Sequence, residues 1–193
     1  MRSAESMEVK MEVKMTRRKI MIMAVLGATV VGFAALVGFA DHNAVFAADD
    51  EDQAALIKTF GAAKINLQQG LTASEQAGQP ISGKFEVDDG ELQLSVYTTK
   101  DGKFSEVMID HATGSVAKVE PITAGDDLAA ANAQSAAMAK AKTSLKAAID
   151  EAVSQATDFR AVSAMPSLKD GHPVASIVLL KGERTKTVQQ SLD

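Results

Sequence analysis

Residues 81–110 read ISGKFEVDDGELQLSVYTTKDGKFSEVMID. Asp89-Gly90 and Asp101-Gly102 divide this stretch into the runs Ile81–Val87, Glu91–Thr99 and Lys103–Asp110. A third turn, Thr113-Gly114, follows at the same interval of 12 and introduces Ser115–Ile122. In the second run Leu92, Leu94 and Val96 alternate with Glu91, Gln93, Ser95 and Tyr97. Phe104, Val107 and Ile109 supply the apolar positions of the third. Aspartate-glycine between alternating runs marks hairpins, because glycine accepts the positive φ of a two-residue turn. The stretch predicts an antiparallel meander with one face against a helix and one face in water.

Upstream, Leu56, Phe60, Ala63, Leu67 and Leu71 recur at helical spacing, a single amphipathic stripe that Gly78 and Pro80 end. The acids Asp49, Asp50, Glu51 and Asp52 stand at its start, where they suit the helix dipole. Downstream, Pro121–Gly125 reads as a linker and Asp126-Asp127 opens an alanine-rich helical stretch. Met138, Leu145, Ile149 and Val153 form one face of that second helix, and Thr157-Asp158 ends it. Strands are expected at Arg160–Ser167, Pro173–Lys181 and Arg184–Leu192, with turns at Asp170-Gly171 and Gly182.

The two halves are copies of one pattern. Leu67 and Leu71 match Leu145 and Ile149 at an offset of 78, and Asp89-Gly90 and Ser95 match Asp170-Gly171 and Ser176 at 81. Three residues inserted between helix and first hairpin account for the change, which a loop tolerates. The expected architecture is α+β: two helix-on-antiparallel-sheet modules, residues 48–122 and a shorter one over 123–193 that lacks a counterpart to Gly114–Ile122.

Residues 1–47 are expected to stand apart from both. Arg17, Arg18 and Lys19 precede an uncharged run from Ile20 to Ala40, and Val45-Phe46-Ala47 places small residues for a cut after Ala47. These are the parts of a secretory signal peptide. The run of 21 uncharged residues is also long enough for an uncleaved membrane anchor. Either way the positive-inside rule puts the body outside the cytoplasm, periplasmic or secreted. The tandem Met7-Glu-Val-Lys and Met11-Glu-Val-Lys ahead of Met15 leaves Met15 as an alternative start, and Arg17-Arg18 brushes a twin-arginine signal.

Of the 20 basic and 25 acidic side chains, 14 and 21 follow Ala47, so the body carries −7. An acidic body argues against nucleic acid as a partner. The chain has no cysteine, which excludes thiol chemistry, disulfides and lipoprotein attachment, and no tryptophan. Beyond the leader the histidines are His111 and His172, both beside turns, and no Gly-x-Ser-x-Gly, His-Glu-x-x-His or phosphate-cradling loop occurs. A non-enzymatic binding module follows. Carboxylates at the turns, Asp88, Asp89, Glu91, Asp101 and Asp110, with Asp126-Asp127, offer oxygens for a calcium or lanthanide ion, though turn aspartates also serve their own backbone. No cofactor is required by the pattern. Sheet edges offer the other binding surface, with Lys103, Lys181, Arg184 and Lys186 expected to guard them.

The body resembles the PepSY domain family. The first copy carries the family's order: helix, strand Ile81–Val87, Asp89-Gly90, strand Leu92–Tyr97, Asp101-Gly102-Lys103, Val107-Met-Ile-Asp110, then Asp110-His-Ala-Thr-Gly114 with Val116 and Val119. The second matches through Ser144–Ile149, Asp170-Gly171 and Val174–Leu180, without the Asp-x-x-Thr-Gly turn. The resemblance implies a small exported helix-on-sheet module without catalytic residues. It also implies a peptidase or other envelope protein as partner, which the module restrains, and in some two-copy members a calcium- or lanthanide-like ion.

Intact-mass measurement of protein recovered from outside the cytoplasm checks the leader. A chain beginning at Ala48 is expected, whereas Ile20–Ala40 retained in a membrane fraction would identify an anchor.

Overall fold

The computed structural model describes residues 50–193, so the leader and its cut lie outside the described residues. The chain runs α1 (Asp50–Thr59), a 3-10 turn (Phe60–Ala62), α2 (Leu67–Ser74), β1 (Gln79–Asp88), β2 (Glu91–Lys100), β3 (Lys103–Ile109) and β4 (Val116–Ile122). It continues through α3 (Gly125–Met138), α4 (Leu145–Ser154), β5 (Arg160–Lys169), β6 (His172–Lys181) and β7 (Arg184–Ser191). The class is α+β as expected. The strands, however, form one seven-stranded sheet in the order β4-β3-β2-β1-β5-β6-β7. The two meanders meet where β1 pairs antiparallel with β5, Gly83 opposite Ala164 and Lys84 opposite Ser163.

The repeat persists in detail. Asp89 and Gly90 take φ of 49° and 84°, Asp170 and Gly171 take 52° and 83°, the double left-handed geometry of a type I′ turn. The β1–β2 register slips between Pro80 and Ser82, and the β5–β6 register slips 81 positions later, between Ala161 and Ser163. Before α2 the N–H groups of Lys64 and Ile65 both donate to the His111 carbonyl, at 2.9 and 3.1 Å. Before α4 those of Lys142 and Thr143 donate to the Leu192 carbonyl, at 2.7 and 3.0 Å. Each module thus ties its helix entry to the end of its third strand. No described strand of the second half corresponds to β4, so β7 ends the sheet.

Both expected long helices are broken. The first stripe divides between α1, the 3-10 turn and α2, because Asn66 caps a new helix: its side chain accepts from Gln69 N–H at 2.8 Å while Gln69 Oε1 accepts from Asn66 N–H at 2.9 Å. The second divides at residues 139–144, where the Ser144 hydroxyl accepts from Ala147 N–H and starts α4. The linker expected at Pro121–Gly125 shrinks to Thr123-Ala124, since Pro121 and Ile122 complete β4.

The break before α4 changes the architecture, because α3 and α4 lie on opposite faces of the sheet. α2 and α4 cover one face. Leu67, Leu71, Leu145 and Ile149 join Phe85, Leu94, Val96, Val107, Ala164 and Ile177 in a core continuous across both halves. α3 lies on the face expected to be wet, over a small second core of Ile81, Phe104 and Ala131 flanked by Tyr97, Ile122 and Leu128. Its Gln134 binds Ser82 Oγ at 2.7 Å, and Asp127 binds the Tyr97 hydroxyl at 2.7 Å. An alanine-rich helix fits there because the strands beneath present buried serines, Ser82, Ser95, Ser163 and Ser176, and little bulk.

α2 approaches the sheet closely enough to need a glycine at 70. A Cβ there would stand 2.4 Å from Leu94 Cδ2, inside a fully buried side chain. Alanine in a helix is ordinarily about 1 kcal/mol better than glycine. Gly70→Ala is nevertheless expected to destabilise the protein by about 1–3 kcal/mol through overpacking, read as a lower denaturation midpoint. Gly61→Ala, where no atom lies within 4 Å, should not.

Candidate functional site

The sheet has two outer edges, β4 and β7, each bonded to a neighbour on one side alone. β7 spans Arg184–Ser191 without a proline, and Arg184, Thr185, Lys186 and Thr187 are exposed. Arg184 stacks 5.9 Å from the Phe159 ring centroid. β4 carries Lys118, the exposed Val119, Glu120 and Pro121, which has no N–H to offer a ladder. Of the expected guards, Arg184 and Lys186 are on an edge. Lys181 is at the end of β6 and holds Asp158 at 2.8 Å. Lys103 opens β3 opposite Lys100 at an exposed hairpin end, and β3 itself is an interior strand between β2 and β4.

The turn carboxylates do not converge. Asp88, Asp89 and Glu91 share the exposed β1–β2 hairpin. Asp101 caps the far end of β2, ten residues away, a distance of about 30 Å along an extended strand. Asp110 lies at the near end, but its carboxylate is used locally: Oδ1 accepts from Ala112 N–H at 2.8 Å and Thr113 N–H at 2.9 Å. Those bonds, Thr113 first, hold its titration below the usual aspartate value of 3.8. Asp127 is engaged by Tyr97, whose hydroxyl is pushed well above its usual range by burial and then by that hydrogen bond. Among the described residues no group of three or more histidines, aspartates or glutamates is placed to hold a metal ion.

The histidines are separate too. His172 Nδ1 lies 3.1 Å from Asp193 Oδ2 in an exposed pair. His111 lines an open groove with Lys58, Thr59, Gly61, Glu91 and Leu92, and its Nδ1 is buried without a hydrogen-bond partner. Its carbonyl is what binds the α2 entry loop, so its position serves the fold.

Two features escaped the sequence reading. Arg160 opens β5 and its guanidinium donates to the carbonyls of Ala63 and Ile65 at 3.1 and 2.8 Å while lying 4.5 Å over the Phe60 ring centroid. It therefore staples the first module's loop to the second module's strand. The Tyr97–Asp127 bond is the other, and the outward place of the chain's one tyrosine in an alternating run was the available signal.

Among the described residues no helix is long and apolar enough to cross a membrane. Comparison with family models, curated proteins and solved structures finds no match to this chain.

Asp110 yields a pH-dependent expectation. Its folded-state titration is depressed, so its contribution is complete above the unfolded value and is lost as pH falls through the folded one. Asp110→Ala should lower the melting temperature at pH 7, and the gap from the parent should close on acidification below the ordinary carboxylate range.

Proposed function

We propose that this chain is an exported, non-enzymatic binding protein that holds, and thereby restrains, a peptidase or another envelope protein. The observation that carries the reading is the β7 edge, a proline-free strand with its outer side unpaired and its first half exposed. An extended segment added there would gain main-chain hydrogen bonds, with alternate side chains setting preference. Arg184 and Lys186 favour an acidic segment and count against a basic one. The signal-like leader supports export, and the PepSY-like order of residues 81–114 supports a peptidase as the restrained partner. The duplicated helix–sheet unit, closed into one sheet by β1–β5, makes a rigid frame for such an edge.

A photo-crosslinking residue at Thr187 in the exported chain tests this. It should trap an envelope protein, and the same group at exposed Glu75, just past the end of α2, should not. A trapped peptidase should lose activity when the pure chain is added back. Equal trapping at both positions, or none at Thr187, would sink the edge reading. Reproducible turnover of a peptide by the pure chain would overturn the non-enzymatic part.

A further inference from the structure

The opposite edge of the sheet is self-complementary. β4 reads Val116-Ala117-Lys118-Val119-Glu120-Pro121-Ile122 and is bonded to β3 alone. We propose that β4 pairs antiparallel with β4 of a second copy of this chain, about a two-fold axis through Val119, joining two sheets edge to edge. This rests on β4 and is independent of the partner reading at β7.

The charges select the partner and the register. With Val119 on the axis, Lys118 of each copy stands opposite Glu120 of the other. Within one copy Lys118 Nζ already lies 2.6 Å from Glu120 Oε1 on the same face, so pairing builds a four-charge array of alternating sign. A two-fold pairing that keeps each face on its own side moves only in steps of two residues. One step either way places Lys118 opposite Lys118 or Glu120 opposite Glu120, and like charges directly opposite are unfavourable. The Val119-centred register is therefore the one that matches charge. It also covers Val119, which at 48% exposure is the most exposed large hydrophobic among the described residues.

β7 lacks these properties. Its own two-fold pairing, centred on Thr187 or on Val188, would set Lys186 against Val188 or Gln190, with no opposite charges to match. Pro121 has no N–H, so the β4 ladder loses a bond at each end. A seven-residue strand pair buries less than the roughly 1,200 Å² of a stable complex. The association is accordingly a concentration-dependent dimer.

Sedimentation of the purified chain across about 1 to about 100 µM should show monomer giving way to dimer. Lys118→Glu and Glu120→Lys should each weaken dimerisation about tenfold or more, and the double exchange should restore it. Val119→Lys should abolish it, and Thr187→Lys on β7 should leave it unchanged. Melting curves of each variant at low concentration separate lost association from lost fold. A parent chain monomeric throughout, or a dimer indifferent to both charge reversals and to Val119→Lys, would overturn the proposal.

Discussion

Two residue pairs, Gly83 with Ala164 and Lys84 with Ser163, join the halves of the sheet, and the rest of the molecule is arranged around that seam. Every other strand pair runs through six or more registered residue pairs between strands consecutive in sequence; this one joins elements some 80 residues apart. So short a seam needs reinforcement from outside the ladder. On one face α2 and α4 lie together over it, with Gln68 donating to Asp150 at 3.0 Å. Burial opposes ionisation of Asp150, yet the bonds from Gln68 and Lys146 outweigh it and hold the carboxyl below its usual value. On the other face α3 bridges the seam, binding Ser82 of β1 and reaching Met165 of β5 through the same Gln134. Arg160 ties a loop of the first half to the start of β5 from the end.

The asymmetry between the faces follows from side-chain size. Gly70 and Gly83 let α2 descend until Leu67 and Leu71 touch the sheet, and a deep aliphatic core fills beneath both helices. The opposite face alternates serines with charged residues, including the Lys84–Glu86 pair at 2.5 Å, and offers apolar contact mainly at Ile81 and Phe104. A helix made largely of alanine suits that shallow surface, and hydrogen bonds donated by Ser82 and Tyr97 to Gln134 and Asp127 take the place of bulk.

Chemistry is dispersed in this frame while backbone is concentrated at its margins. The acids stand at hairpin tips, where Asp89 and Asp170 adopt the positive φ that short polar side chains tolerate. The sheet's hydrogen-bonding capacity, by contrast, is left open along two whole strands. One edge is polar and basic at its start, the other alternates opposite charges about a valine, so the edges suit different occupants.

The sequence by itself determined the strands, their turns and the repeat, because these depend on residues within a few positions of one another. Asp-Gly pairs close hairpins wherever alternating runs flank them, and the offset of 81 reappears in turns, bulges and the carbonyls that anchor the helix entries. It did not determine where the helices break, since Phe60 to Leu71 and Met138 to Ile149 keep apolar spacing straight through the breaks. The breaks arise from capping by Asn66 and Ser144 and from loop N–H groups claimed by carbonyls of distant strands. The joining of two modules into one sheet, the burial of α3 on the second face and the identity of the two edges were decided by tertiary structure alone. Each depends on which strand meets which across long stretches of chain, and β1 carries no local mark that its neighbour is β5.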